Sequence, residues 1–114
     1  MILAIVGSRT FQDYVLLCHV VEQVKGNISV IVSGGAEGAD TLAERYADEH
    51  GIAMKVYPAN WALYGKSAGY RRNQTIVHNA DAVIAFWDGN SAGTAHTIEL
   101  ARLAGVPVYV KEVS

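Results

Sequence analysis

Ile28-Ser29-Val30-Ile31-Val32-Ser33-Gly34-Gly35-Ala36-Glu37-Gly38-Ala39-Asp40 contains a short apolar run, a glycine-rich turn and the opening of a helix. Val and Ile at Val30 to Val32 suit a strand buried on both faces. Gly34, Gly35 and Gly38 let the chain turn sharply and let a ligand come close to the backbone. Backbone N–H groups at such a helix start form an anion site. The same order recurs twice. Ile2 to Val6 leads into Gly7-Ser8-Arg9, and Ala82 to Trp87 leads into Asp88-Gly89-Asn90-Ser91-Ala92-Gly93-Thr94. Three such turns at equivalent corners predict one shared crevice.

Outward from these corners, apolar spacing predicts the remaining elements. Leu17, Val20, Val21 and Val24 recur at helical intervals, so a first helix is expected over about Gln12 to Lys25, ended by Gly26-Asn27. A second runs from about Gly38 to His50, stopped by Gly51. Strands are expected at Ile28–Ser33, Ile52–Tyr57, Ala82–Trp87 and Val106–Val110, after the first at Ile2–Val6. Ala59 to Gly65 reads as a loop or a single turn, followed by helices at about Ser67–Asn79 and Thr94–Ala104. Strands alternating with helices imply right-handed crossovers. The expected fold is α/β: a single Rossmann-like three-layer sandwich, with a five-stranded mostly parallel sheet and about four helices. Ligands in such sheets bind beyond the carboxyl ends of the strands, where strand order reverses. All three glycine turns lie there.

Composition narrows the class. A chain of 114 residues, 51% hydrophobic and only 18% charged, has the material for one folded core. A net charge of −2 lacks the basic footprint of most nucleic-acid binders, so nucleic acid is an improbable partner. Cys18 is the lone cysteine, which rules out an internal disulfide and disfavours a thiolate metal site. No run is long enough to span a membrane, and a reducing, cytoplasmic setting is expected. The four histidines lack metal-ligand spacing, and no metal or cofactor is called for.

Asp40 admits two readings. It accepts hydrogen bonds from ribose hydroxyls, or it is a first-turn acid that caps nearby N–H groups and favours the helix dipole. Thr94 and Thr97 lie one helical turn apart, and hydroxyls beside bare amides suit a phosphate; an ordinary threonine N-cap is the alternative. Arg71-Arg72-Asn73 places cations near a helix start, where they gain nothing from the dipole. That points to bidentate phosphate binding, against a merely solvated pair. Arg9 is a second candidate of this kind. Trp61, Trp87 and Tyr57 either stack on a base or pack at the rim. No serine–histidine–acid constellation is present, and catalytic residues stay unassigned.

Together, Ile5-Val6-Gly7-Ser8-Arg9, Ser33-Gly34-Gly35-Ala36-x-Gly38-Ala39-Asp40, Arg71-Arg72-Asn73 and Ala80 to Gly89 followed by Ser91-x-Gly93-Thr94 resemble the SLOG superfamily. Within it they look most like the small family related to YspA and YpsA. The resemblance runs over essentially the whole chain as one domain, 1–114. It implies binding of a nucleotide or nucleotide-derived small molecule, for sensing or sequestration. The ligand-binding residues it implies are Gly7, Ser8, Arg9, Ser33, Gly34, Gly35, Asp40, Arg72, Asn73, Trp87, Asp88, Gly89, Ser91, Gly93, Thr94 and Thr97. Relatives include the cytokinin-activating phosphoribohydrolases, which cleave N-glycosidic bonds of nucleoside 5′-monophosphates, and the single-stranded-DNA-binding DNA-processing protein A family. The hydrolases carry Pro-Gly-Gly-x-Gly-Thr-x-x-Glu. Here Gly93-Thr94 match, but Thr97 stands where the glutamate belongs, and Glu99 falls about 200° around the helix. That departure favours binding over hydrolysis, with N-glycosidic hydrolysis through Asp40, Asp88 or Glu37 as the alternative. A homo-oligomer, possibly a dimer, is also implied, and any signalling output is expected to come from a partner chain or from the fate of the ligand itself.

Overall fold

The computed structural model describes residues 1–24 and 26–113. Five strands, β1 (Ile2–Gly7), β2 (Val30–Ser33), β3 (Ala53–Val56), β4 (Ala82–Trp87) and β5 (Val108–Glu112), form one parallel sheet in the order β3-β2-β1-β4-β5. Among the described residues the longer helices are α1 (Tyr14–Glu22), α2 (Ala39–Glu49), α4 (Ala68–His78) and α5 (Ala92–Leu103). A short helix, α3 (Trp61–Tyr64), and a 3₁₀ turn at Gly65–Ser67 lead into α4. The α/β sandwich expected from the sequence is the architecture observed.

Alternation along β1 divides the core. Leu3 and Ile5 face α1 and α2, where they pack with Leu17, Val21, Ala43 and Ala47. Ala4 and Val6 face α4 and α5, among Ile76, Val77, Ile98 and Ala101. Both faces are covered, which is why the strand reads as an unbroken apolar run. Phe11 closes one end of the first layer by stacking on Phe86, with ring centroids 4.6 Å apart.

Element ends differ from the periodicity for local reasons. Asp13 caps α1, its Oδ1 accepting from the Leu16 N–H at 3.0 Å, so the helix begins at Tyr14 and not Gln12. Its expected limit, Lys25, lies outside the described residues. Strand β5 starts at Val108, because the Val106 N–H turns back to the Ala101 carbonyl and Pro107 has no N–H to give. The strand order reverses between β1 and β4. The chain leaves β1 towards α1 on one face and β4 towards α5 on the other, opening a crevice between those two carboxyl ends.

Candidate functional site

Ser8 ties the three corners together. Its N–H donates to the Phe86 carbonyl at 2.9 Å, and its carbonyl accepts from Phe11 and Ala39. Its hydroxyl accepts from the Asp88 N–H at 3.0 Å. Gly7 sits so tightly between β4 and α2 that a Cβ there would lie 2.7 Å from that of Ala39. These residues build the floor of the crevice by backbone contact.

The second turn is organised around Asp40, a side chain only 5% exposed. Its Oδ2 accepts from the N–H groups of Gly34 at 2.9 Å and Ala36 at 3.3 Å. Gly35 donates to the Ser33 hydroxyl at 3.4 Å. The Ser33–Gly38 turn therefore differs from the open anion cradle its glycines suggest: Asp40 and Ser33 already occupy the N–H groups of Gly34, Gly35 and Ala36. The capping reading of Asp40 describes Oδ2, while Oδ1 is the oxygen left to the cavity that Asp40 lines. Burial pushes the Asp40 carboxyl up to about 6, against the opposing pull of the two N–H groups and of Arg72.

Arg72 lies directly over Gly34, where a Cβ would collide with its guanidinium. Nη1 donates to the Gly34 carbonyl at 2.8 Å and Nε to Asn73 Oδ1 at 3.0 Å. The Asn73 amide continues to the Gly93 carbonyl at 3.3 Å and to His96 Nδ1 at 3.2 Å. One chain of bonds thus joins the second turn, α4 and the start of α5. Burial lowers the Arg72 pKa, with Asp40 opposing and Arg9 adding to the fall.

The third corner is held by Asp88, whose Oδ1 accepts from the Asn90 and Ser91 N–H groups, each at 2.8 Å. Those bonds hold its carboxyl below the usual range. Ser91 is the N-cap of α5, accepting from the Thr94 N–H, so the helix starts at Ala92 rather than Thr94. Thr94 instead pairs its hydroxyl with that of Ser91 at 3.0 Å, and Thr97 donates to the Gly93 carbonyl at 3.1 Å. Trp87 donates from Nε1 to the Ser91 carbonyl and packs against the α4–α5 layer.

Between these walls lies a cavity of about 290 Å³. Gly7, Arg9, Asp40, Arg72, Asn73, Ser91, Gly93, Thr94 and Thr97 line it. Ser8, Ser33, Gly34, Gly35, Trp87, Asp88 and Gly89 do not; they shape the turns behind it. Val6, Ala36 and Ile76 complete the lining. Val6 and Ala36 stood inside the quoted motifs without being singled out as ligand-binding, and Ile76 lay in no motif. His96, behind Asn73, is held against Tyr70 edge to face. Among the described residues, no His, Cys, Asp and Glu cluster could hold a metal ion, and no helix is long and apolar enough to cross a membrane.

Known proteins resemble this chain over much of its length. Residues 1–64 match the model of the YspA, cpYpsA-related SLOG family. That stretch holds β1 to α3, hence the first two glycine turns, and stops short of Arg72 and the third. Gene 61 protein of Mycobacterium phage D29 is 40% identical over 85 residues, covering 69% of this chain and 68% of that protein. No solved structure matches. Matched over more than half of its length, the chain belongs to the YspA, cpYpsA-related SLOG family.

Proposed function

We propose that the protein binds a nucleotide or nucleotide-derived small molecule in the crevice between β1 and β4. The observation that carries this reading is the charge and hydrogen-bond layout of the cavity. Arg9 and Arg72 line it together with one buried carboxyl, Asp40, and the start of α5. Ser91 Oγ occupies the Thr94 N–H, so the amides of Ala92 and Gly93 are left for an anion. A phosphate placed there meets Arg72 at its flank, and sugar hydroxyls reach Asp40 Oδ1. A cavity of about 290 Å³ takes a sugar phosphate, near the low end of the roughly 300–1,000 Å³ of small-molecule sites.

Mass spectrometry of the protein equilibrated with nucleoside monophosphates, NAD, ADP-ribose and cyclic nucleotides tests the reading. Retention of an intact species is expected, with loss of retention in Arg72→Ala. Full retention by that variant removes Arg72 from the site. A second reading, N-glycosidic hydrolysis, is favoured by one observation: burial brings Asp40 to about 6, in the range of a general acid or base. Against it, Thr97 is buried and bonded to Gly93 where the hydrolases carry glutamate, and Glu99 is exposed. Release of a free base, abolished in Asp40→Asn, would make this reading the correct one.

A further inference from the structure

A second cavity, of about 310 Å³, lies across Arg72 from the first, and Arg72 is the residue common to both linings. Its walls come from the α3 region and the outer side of α4. Tyr64 supplies an aromatic face, 43% exposed. The Arg71 guanidinium lies 4.4 Å from the centre of that ring and is tethered by donation from Nε to the Ser67 hydroxyl at 3.1 Å. Arg71 thereby braces one face of the ring before any ligand arrives, leaving the opposite face for stacking.

The polar groups around it are those that read flat heterocycles. Asn60 spends its Oδ1 on capping the Leu63 N–H at 3.0 Å, which points its amide donor to other partners. Gln74 is exposed on α4, one turn before His78 on the same side, and both line the cavity. Two carboxamides, Asn60 and Gln74, and the His78 imidazole offer donors and acceptors in roughly the number a base edge presents. A phosphate alone does not need an aromatic wall, and a simple sugar does not need this set of flat partners. Stacking of a base on an aromatic contributes about 1–3 kcal/mol.

We propose that this second cavity is a nucleobase subsite, so that the ligand lies astride Arg72. Its phosphate sits at the start of α5, its sugar passes Asp40 and Arg72, and its base stacks on Tyr64 within reach of Gln74. The inference rests on the reading of the first cavity as a sugar-phosphate site and adds the part of the ligand that site leaves out. It also gives Arg71 a role that the phosphate alone does not: it supports the aromatic platform, while Arg72 separates the two compartments.

Calorimetric titration of the full chain with ribose 5-phosphate and with each of the four common nucleoside 5′-monophosphates tests both levels. At least one monophosphate is expected to bind roughly tenfold or more tightly than ribose 5-phosphate, the equivalent of about 1.4 kcal/mol. In Tyr64→Ala and in Gln74→Ala that ratio is expected to fall towards one. Both positions are exposed, and circular dichroism checks that the variants stay folded. A ratio near one in the wild type, or one unmoved in both variants, overturns the subsite while the first cavity's reading stands. If neither ribose 5-phosphate nor any monophosphate binds, the subsite is overturned, and the first reading fails with it only when NAD, ADP-ribose and cyclic nucleotides are not retained either.

Discussion

Asp40 shows how one residue serves structure and site together. Its raised pKa means that the folded protein takes up a proton more readily than the unfolded chain between its ordinary value, 3.8, and about 6. The stabilising contribution is therefore fully present below about pH 4 and is lost as pH rises through about 6. The shift of about two units corresponds to something on the order of 3 kcal/mol. Asp40→Asn keeps an oxygen for the Gly34 and Ala36 N–H groups without the charge. Urea unfolding from pH 4 to 8 should show the wild type losing stability relative to this variant as pH rises. A pH-independent difference would mean that the carboxyl is not buried as described. Gly34→Ala makes a complementary test. The backbone there is not in the left-handed region, and the added Cβ meets only the end of the Arg72 side chain. Gly34 is buried and the half-buried guanidinium must give way, so stability should fall by about 1–3 kcal/mol, the usual cost of overpacking. Nucleotide retention should drop with it, because the guanidinium must move. Retention at the wild-type level would show that the Arg72–Gly34 contact is not needed.

Among elements, the turns carry the specific requirements and the helices the bulk packing. Gly38, the residue before α2, has φ 79° and ψ −124°, a conformation essentially confined to glycine. A Cβ there would also strike the carbonyls of Ser8 and Arg9. Gly89, with φ 86°, has no atom within 4 Å of an added Cβ. Gly38→Ala should therefore cost about 3 kcal/mol or more and Gly89→Ala about 1–2 kcal/mol in denaturant unfolding. Equal costs would show that the contact with the β1 turn does not matter. The same contact explains why the first two turns behave as one unit. The periodicity of α1 was legible because that helix buries one face on the sheet. Helix starts were less so. Asp13 and Ser91 are caps with ordinary capping chemistry, but Thr94 offered an equally good cap by composition, and only the path of the chain chooses Ser91.

For the whole molecule, the distribution of charge matters more than its sum. The net charge is −2, yet the main cavity gathers Arg9 and Arg72 around a single acid. Of the cationic cluster Lys66, Arg71 and Arg72, the last is committed to Gly34 and Asn73, and Arg71 is drawn onto Tyr64. Neither arginine can follow a nucleic-acid backbone without giving up these contacts. Fluorescence anisotropy with a labelled oligothymidylate at about 0.15 M salt should show no binding tighter than about 10⁻⁴ M, the weak limit of non-specific association. Tight, salt-sensitive binding would reverse the assignment. Sedimentation equilibrium addresses the expected homo-oligomer: a mass of twice 12.2 kDa supports a dimer, and 12.2 kDa refutes it.

The sequence by itself determined the α/β class, the five strands and the place of the three turns, because apolar period and glycine corners are local properties of the chain. It also marked Arg9, Asp40, Arg72, Gly93 and Thr94 as neighbours of one crevice. What only the tertiary structure decided is how their hydrogen bonds are shared. Asp40 takes up the amides that the second turn seemed to offer, Arg72 spans to a carbonyl 38 residues away, and Trp87 turns from the cavity to hold Ser91. Each of those choices joins groups distant in the chain. A donor's partner depends on which acceptor the fold brings within about 3 Å, and no local pattern records that distance.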